Sequence, residues 1–185
     1  MDHQRSEILV GDRKAAERRV MAPMIARCTC GRVELEATGA PIASVVCYCD
    51  DCQAGAQQIE ALPNAGRVRE PDGGVGYLAY RKDRVRIRAG AELLRGYKVR
   101  PGSATNRMVA TCCNAAVVLT FDDSKHWVDV YRVSAIGHVP PVQMLMCTRY
   151  RQAGALDTTI PAFSRYPLRL MVKLLAARIA MLLGA

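Results

Sequence analysis

Between Arg32 and Thr38 the chain reads RVELEAT, with apolar Val33, Leu35 and Ala37 alternating with Arg32, Glu34 and Glu36. Successive side chains on a strand point to opposite faces, so this period predicts a strand with one buried face. Further segments of strand character follow at close intervals: VGYLAY (75–80), RVRIRAG (84–90), ELLRGYKV (92–99), RMVAT (107–111), AVVLTF (116–121) and WVDVYRV (127–133). Gly, Pro, Asp and Asn punctuate them, as turns between strands require. Short strands at this spacing predict a mainly β domain of antiparallel strands.

The pattern changes at both ends. Residues 166–185, YPLRLMVKLLAARIAMLLGA, are helix formers almost throughout. Arg165, Arg169 and Lys173 fall four apart on one face, with Leu and Met over much of the remainder. This predicts a basic amphipathic C-terminal helix, packed on the domain or a partner subunit, or lying on a membrane surface. Its charges interrupt the apolar run and argue against a spanning helix. The stretch GDRKAAERRVMAP near the other end reads as part of an extension, helical or mobile. The expected division is an extension over 1–24, a β domain over 25–140 and a C-terminal segment over 141–185.

Composition narrows the class. With 185 residues, half of them apolar, the chain can bury one ordinary core. No apolar run follows a basic start in MDHQRSE, so a secretory signal is not expected and the cytoplasm is the expected compartment. There, eight cysteines serve as metal ligands or redox groups rather than as structural bridges. The net charge of +9 favours an anionic partner: nucleic acid, a membrane surface or an acidic small molecule. In RVRIR, Arg84, Arg86 and Arg88 share one strand face. That face is either solvated or able to hold carboxylates of a ligand, and no interleaved aromatics support single-strand binding there.

The cysteines form three groups and a singleton: RCTCGR with Cys28 and Cys30, CYCDDC with Cys47, Cys49 and Cys52, ATCCNAA with Cys112 and Cys113, and Cys147 alone. Gly31 and Asn114 follow the first and third groups, and these residue types enter left-handed backbone most readily. Two such knuckles could clamp one zinc between separate strands. Neighbours on a strand face opposite ways, so Cys112 and Cys113 share an ion only if the chain turns between them; otherwise Cys113 binds alone. In the middle group, Asp50 or Asp51 can cap a short helix through CQAGAQQIEAL, with Cys52 in its first turn and Cys49 just before it. Three thiolates on one zinc leave a fourth position open, as in catalytic sites, unless Cys112 or Cys147 closes it.

The order C-x-C-G, then C-x-C-x-x-C, then a cysteine knuckle after several strands resembles the glutathione-dependent formaldehyde-activating enzyme family, which includes centromere protein V. The resemblance spans roughly residues 25 to 135. It implies a β-tent-like zinc-binding fold with two zinc ions per chain. By the family pattern, Cys28 and Cys30 join Cys112 and Cys113 in a structural site, and Cys47, Cys49 and Cys52 hold a catalytic-type zinc. It also implies a carbon–sulfur lyase type activity, with glutathione adding to formaldehyde or a related aldehyde. The sequence departs from the pattern where Ala110 replaces the first cysteine of the later knuckle and where Tyr48 replaces a common His, which marks a divergent branch. The alternative is a zinc-stabilised binding module contacting nucleic acid, protein or membrane.

Overall fold

The computed structural model describes residues 23–152 and 159–184. Residues 1–22, which make up nearly all of the expected N-terminal extension, lie outside the described residues. The fold is mainly β, and the described residues form two sheets and two α-helices.

The smaller sheet joins β1 (Met24–Arg27), β2 (Glu34–Ala37), β5 (Val85–Ala89) and β10 (Ala135–Ile136), in the order β10-β1-β2-β5. The alternation read in RVELEAT holds: Val33, Leu35 and Ala37 are fully buried, while Glu34 and Glu36 are not. The larger sheet runs β12-β11-β3-β4-β9-β8-β7-β6. Its strands are β3 (Ala43–Cys47), β4 (Val75–Arg81), β6 (Leu94–Tyr97), β7 (Thr105–Ala110), β8 (Ala115–Phe121), β9 (Trp127–Tyr131), β11 (Met144–Met146) and β12 (Ala162–Phe163).

Most neighbours are antiparallel, but β11 runs parallel to both β3 and β12, so the large sheet is mixed. All five residues of β3 and all seven of β4 are buried, which explains why these segments are continuous apolar runs rather than alternating ones. The large sheet is covered on both faces. Leu78, Tyr80, Val118 and Val130 pack toward the small sheet, together with Met24, Val33 and Leu35. Tyr77, Val109, Leu119 and Tyr131 pack on the opposite side, with residues of α1 (Asp50–Glu60) and α2 (Leu168–Leu182).

The C-terminal helix forms where the sequence places it. Pro167 occupies its N-cap, and Leu170 and Leu174 are buried on the large sheet. Each contributes about 2 kcal/mol of apolar burial. The carbonyl oxygen of Leu174 also meets Nε2 of the buried His126 at 2.8 Å. Among the described residues, no helix is long and apolar enough to cross a membrane.

Candidate metal centres and the adjoining cavity

Two groups of sulfur atoms converge, one on each side of the large sheet. In the first, Cys28 leaves β1 and enters a turn closed by a hydrogen bond from Gly31 N–H to the Cys28 carbonyl at 2.9 Å, with Gly31 at φ 79°. The Val33 amide donates to Cys28 Sγ at 3.2 Å. Opposite it, residues 111–114 connect β7 to β8. The Cys113 amide donates to the Ala110 carbonyl at 3.2 Å, and Asn114 takes φ 53°. The chain therefore turns at Cys112 and Cys113, and the strand objection to their sharing an ion does not apply.

The geometry suits a tetrahedral ion. Cys28 Sγ lies 3.6 Å from Cys30 Sγ and 3.7 Å from Cys112 Sγ, and Cys30 and Cys112 are 3.3 Å apart. Cys112 and Cys113 are 4.0 Å apart, and all four sulfurs fall within 4.8 Å of one another. Zinc–sulfur bonds of about 2.3 Å in a tetrahedron place the sulfurs about 3.8 Å apart. Metal binding needs thiolates, and Cys30 is already inclined to ionise. Hydrogen bonds from the Arg32 backbone amide, then from the Cys112 thiol, bring it down to about 6.

The second group gathers Cys47, Cys49 and Cys52, again with sulfurs within 4.8 Å of one another. Cys47 ends β3 and is fully buried. The expected cap is corrected here: Cys49 itself is the N-cap of α1, with extended backbone and no side-chain capping bond, while Asp50 and Asp51 lie in the first turn. Carboxylates there favour the helix dipole, and the unpaired first-turn amides favour a thiolate at the cap. Hydrogen bonds from Cys47 and then Cys52 hold the Cys49 thiol well below its ordinary value, whereas hydrogen bonding to Cys147 and then Cys49 pushes Cys47 up. The trio therefore gathers its first negative charge at Cys49.

Neighbouring groups fix this loop. Tyr48 turns away from the sulfurs and donates to Asp72 Oδ2 at 2.7 Å, where Arg151 Nε also donates at 3.0 Å. The buried Gln53 amide donates to the carbonyls of Tyr48 at 2.5 Å and Tyr150 at 2.9 Å, tying α1 to the segment after β11. Of the two cysteines that could have closed the trio, Cys112 belongs to the first group. Cys147, buried at the end of β11 with φ 60°, is not within 4.8 Å of all three sulfurs, but its thiol hydrogen-bonds that of Cys47, and its neighbour Met146 pairs in register with Cys47.

The trio forms one wall of a cavity of about 230 Å³. Tyr166, Leu170 and Leu174 roof it, and Tyr166 Oη lies 3.9 Å from Cys49 Sγ. Arg84, Arg86 and Arg88 do not line it. They belong to β5 and the short turn before it, at the edge of the small sheet and across the large sheet from the cavity. Arg88 pairs there with Glu36 at 3.5 Å.

Polar residues that the sequence pattern did not single out lie in the lining instead, among them Arg107 and Asp129. Arg107 is 1% exposed; its Nη2 donates to the Asp51 carbonyl at 2.6 Å, and its Nε and Nη1 have no hydrogen-bond partner among the described residues. Burial raises the Asp129 carboxyl to about 7, against a hydrogen bond from Trp127 that lowers it. The signal for both was the two-residue period. Asp129 shares a strand face with Trp127 and Tyr131, and Arg107 shares one with Val109, so each places a charge on a core-facing position.

Comparison with known proteins agrees with the cysteine pattern. Residues 23–65 match the family described as glutathione-dependent formaldehyde-activating enzyme. No curated protein matches the chain. Among solved structures, a protein from Rhodobacter sphaeroides is similar, with 18% sequence identity, coverage of 63% of this chain and 92% of that one, and a TM-score of 0.45.

Proposed function

We propose that the chain joins a thiol to an aldehyde at the Cys47–Cys49–Cys52 trio, a reading supported by the match of residues 23–65, which carry five of the eight cysteines, to the glutathione-dependent formaldehyde-activating enzyme family. The observation that carries this is the placement of three mutually close sulfurs on the wall of a cavity. The donor set fits zinc. Bound there, zinc would act as a Lewis acid that favours the ionised form of an incoming thiol. Cys28, Cys30, Cys112 and Cys113 would hold a second zinc with a structural role, which would give two per chain.

In the reaction, the thiol loses its proton, its sulfur forms a bond to the aldehyde carbon, and the carbonyl π pair moves to oxygen. That oxygen then takes a proton, giving the hydroxymethyl thioether. Asp129, half protonated near neutral pH, is assigned the proton transfer, because a group whose pKa lies near the working pH both gives and takes protons readily. Arg107, which lines the cavity, is assigned to the developing negative charge on oxygen through the charge of its buried guanidinium. Leu170 and Leu174 make the lining on the α2 side apolar, which lowers the water content around the adduct. Typical pockets for drug-sized ligands hold roughly 300 to 1,000 Å³. This cavity, at about 230 Å³, takes the reacting end of a tripeptide thiol and the aldehyde, leaving the remainder outside.

Exchange NMR with isotopically labelled formaldehyde and glutathione tests the activity. The zinc-loaded protein is expected to speed interconversion of free and adduct formaldehyde, and Cys49→Ser to abolish the effect. A zinc-loaded wild-type protein that leaves the spontaneous rate unchanged would remove the enzymatic reading.

A further inference from the structure

The helix α2 has two apolar faces, and the domain covers only one. At 100° per residue, Leu170 and Leu174 point to the cavity side. On the opposite side, Leu168, Met171, Val172, Leu175, Ile179 and Leu182 fall within an arc of about 100°. All six are exposed, Leu168 to 78% and Leu182 to 75%. An uninterrupted apolar arc of this width on the outer surface requires something to cover it.

Charge indicates what covers it. Residues 165–184 include Arg165, Arg169, Lys173 and Arg178 and no acidic residue. None of these four is in a salt bridge among the described residues. Arg169 and Lys173 donate to neutral oxygens of Gln143, at 3.0 and 2.9 Å, and Arg169 lies over the Phe163 ring at 4.5 Å, so neither meets a carboxylate among the described residues. Around the helix, Arg169 and Lys173 flank the apolar arc on one side and Arg178 on the other. A second copy of the same helix laid on this face would bring cations against cations with no carboxylate on either helix to pair them, whereas paired helices place opposite charges beside the seam. An anionic lipid surface meets both requirements: it accepts the arc into its acyl boundary and neutralises the flanking charges. The helix has 15 residues and its inner face is held by the domain, so it lies along the surface rather than through it.

We propose that α2 is a peripheral membrane-binding element, which seats the domain on anionic bilayers through the outer face centred on Leu175 and Ile179. Because Tyr166, Leu170 and Leu174 roof the cavity, the bound surface would press directly on the lid of the candidate active site.

Co-sedimentation of the full chain with large unilamellar vesicles tests this independently of any catalysis. Binding is expected on mixed phosphatidylcholine–phosphatidylglycerol vesicles at low salt, and to be at least about tenfold weaker on pure phosphatidylcholine or in molar salt. The double substitution Leu175→Glu/Ile179→Glu should abolish binding with unchanged circular dichroism and zinc content. Arg178→Gln, which leaves the apolar arc intact, should weaken it several-fold. Failure of the wild type to sediment with anionic vesicles at low salt would overturn the proposal. So would a stable wild-type dimer in analytical ultracentrifugation that the double substitution converts to monomer, since the arc would then be a protein interface.

Discussion

Cys30 Sγ and Cys112 Sγ lie 3.3 Å apart, although 82 positions separate them in the chain. Their group joins the start of the small sheet to the β7–β8 connection of the large one, so an ion held there would tie the two sheets together. The trio at Cys47, Cys49 and Cys52 instead lies within one stretch of six residues, and its ion would tie together only a local loop.

This contrast predicts different damage from like substitutions. Structural zinc can supply about 10 kcal/mol or more of folding free energy, comparable with the whole stability of a domain. Cys30→Ser is expected to unfold the domain or make it insoluble. Cys49→Ser should lose one zinc per chain and keep its β spectrum. Metal analysis and circular dichroism of both variants check this, and equal damage would contradict the division of roles.

Gly55→Ala should destabilise the protein, against the usual trend. Alanine in a helix interior is better than glycine by about 1 kcal/mol. At Gly55, however, an added Cβ would stand 1.8 Å from Arg107 Nε and 2.4 Å from its Cζ. Arg107 is enclosed and held by the Asp51 carbonyl, so it has little room to retreat. Overpacking of this kind costs about 1–3 kcal/mol, which exceeds the propensity gain. Urea denaturation of the variant should show a lower midpoint, and a raised midpoint would mean that the guanidinium moves freely.

Asp129 gives the fold a pH dependence with a definite sign. Its carboxyl ionises at about 7 in the folded chain and at about 4 when unfolded. The stability linked to its proton is fully present below about pH 4 and is lost as pH rises through about 7, because the unfolded chain releases the proton first. The full extent is on the order of 2–4 kcal/mol. Asp129→Asn should flatten the fall in stability between about pH 5 and pH 8, relative to wild type, in denaturation curves taken at each pH. Parallel pH profiles for the two proteins would show that the carboxyl is solvated.

His126→Ala should loosen α2 before the rest of the protein. The substitution removes the ring nitrogen facing the Leu174 carbonyl and the edge-on contact with Trp127 at 5.1 Å. Losing a buried hydrogen bond and its packing costs about 1–3 kcal/mol. Limited proteolysis should then cut within 168–182 ahead of the β domain, and hydrogen exchange should rise in α2 first. Uniform loosening would mean that the helix and the sheet open as one unit.

Much of this architecture was legible in the residue pattern, for stated reasons. Strict alternation marked β2, because one of its faces meets the core and the other meets charge. The knuckles were legible because Gly31 and Asn114 stand where left-handed backbone is needed, and both adopt it, at φ 79° and 53°. The cap of α1 was misplaced because three successive residues, Cys49, Asp50 and Asp51, can all begin a helix. Sequence says nothing of which one takes extended backbone. The cavity was not legible. Arg107, Asp129 and Tyr166 come from β7, β9 and the approach to α2, and only the sheet order brings them to the cysteine trio. The parallel seating of β11 beside β3 was hidden for the same reason, since three residues carry too little pattern to reveal a partner far back in the chain.

That seating has a practical outcome for anyone trimming the protein to its cysteine-bearing core. A fragment ending near residue 140 would strip β11 and β12 from the sheet and leave the outer hydrogen-bonding row of β3, the strand that delivers Cys47, bare to solvent. A naked apolar border of this sort recruits strands from neighbouring molecules, so the shortened chain would be expected to clump, and its insolubility should not be mistaken for an inability to take up metal.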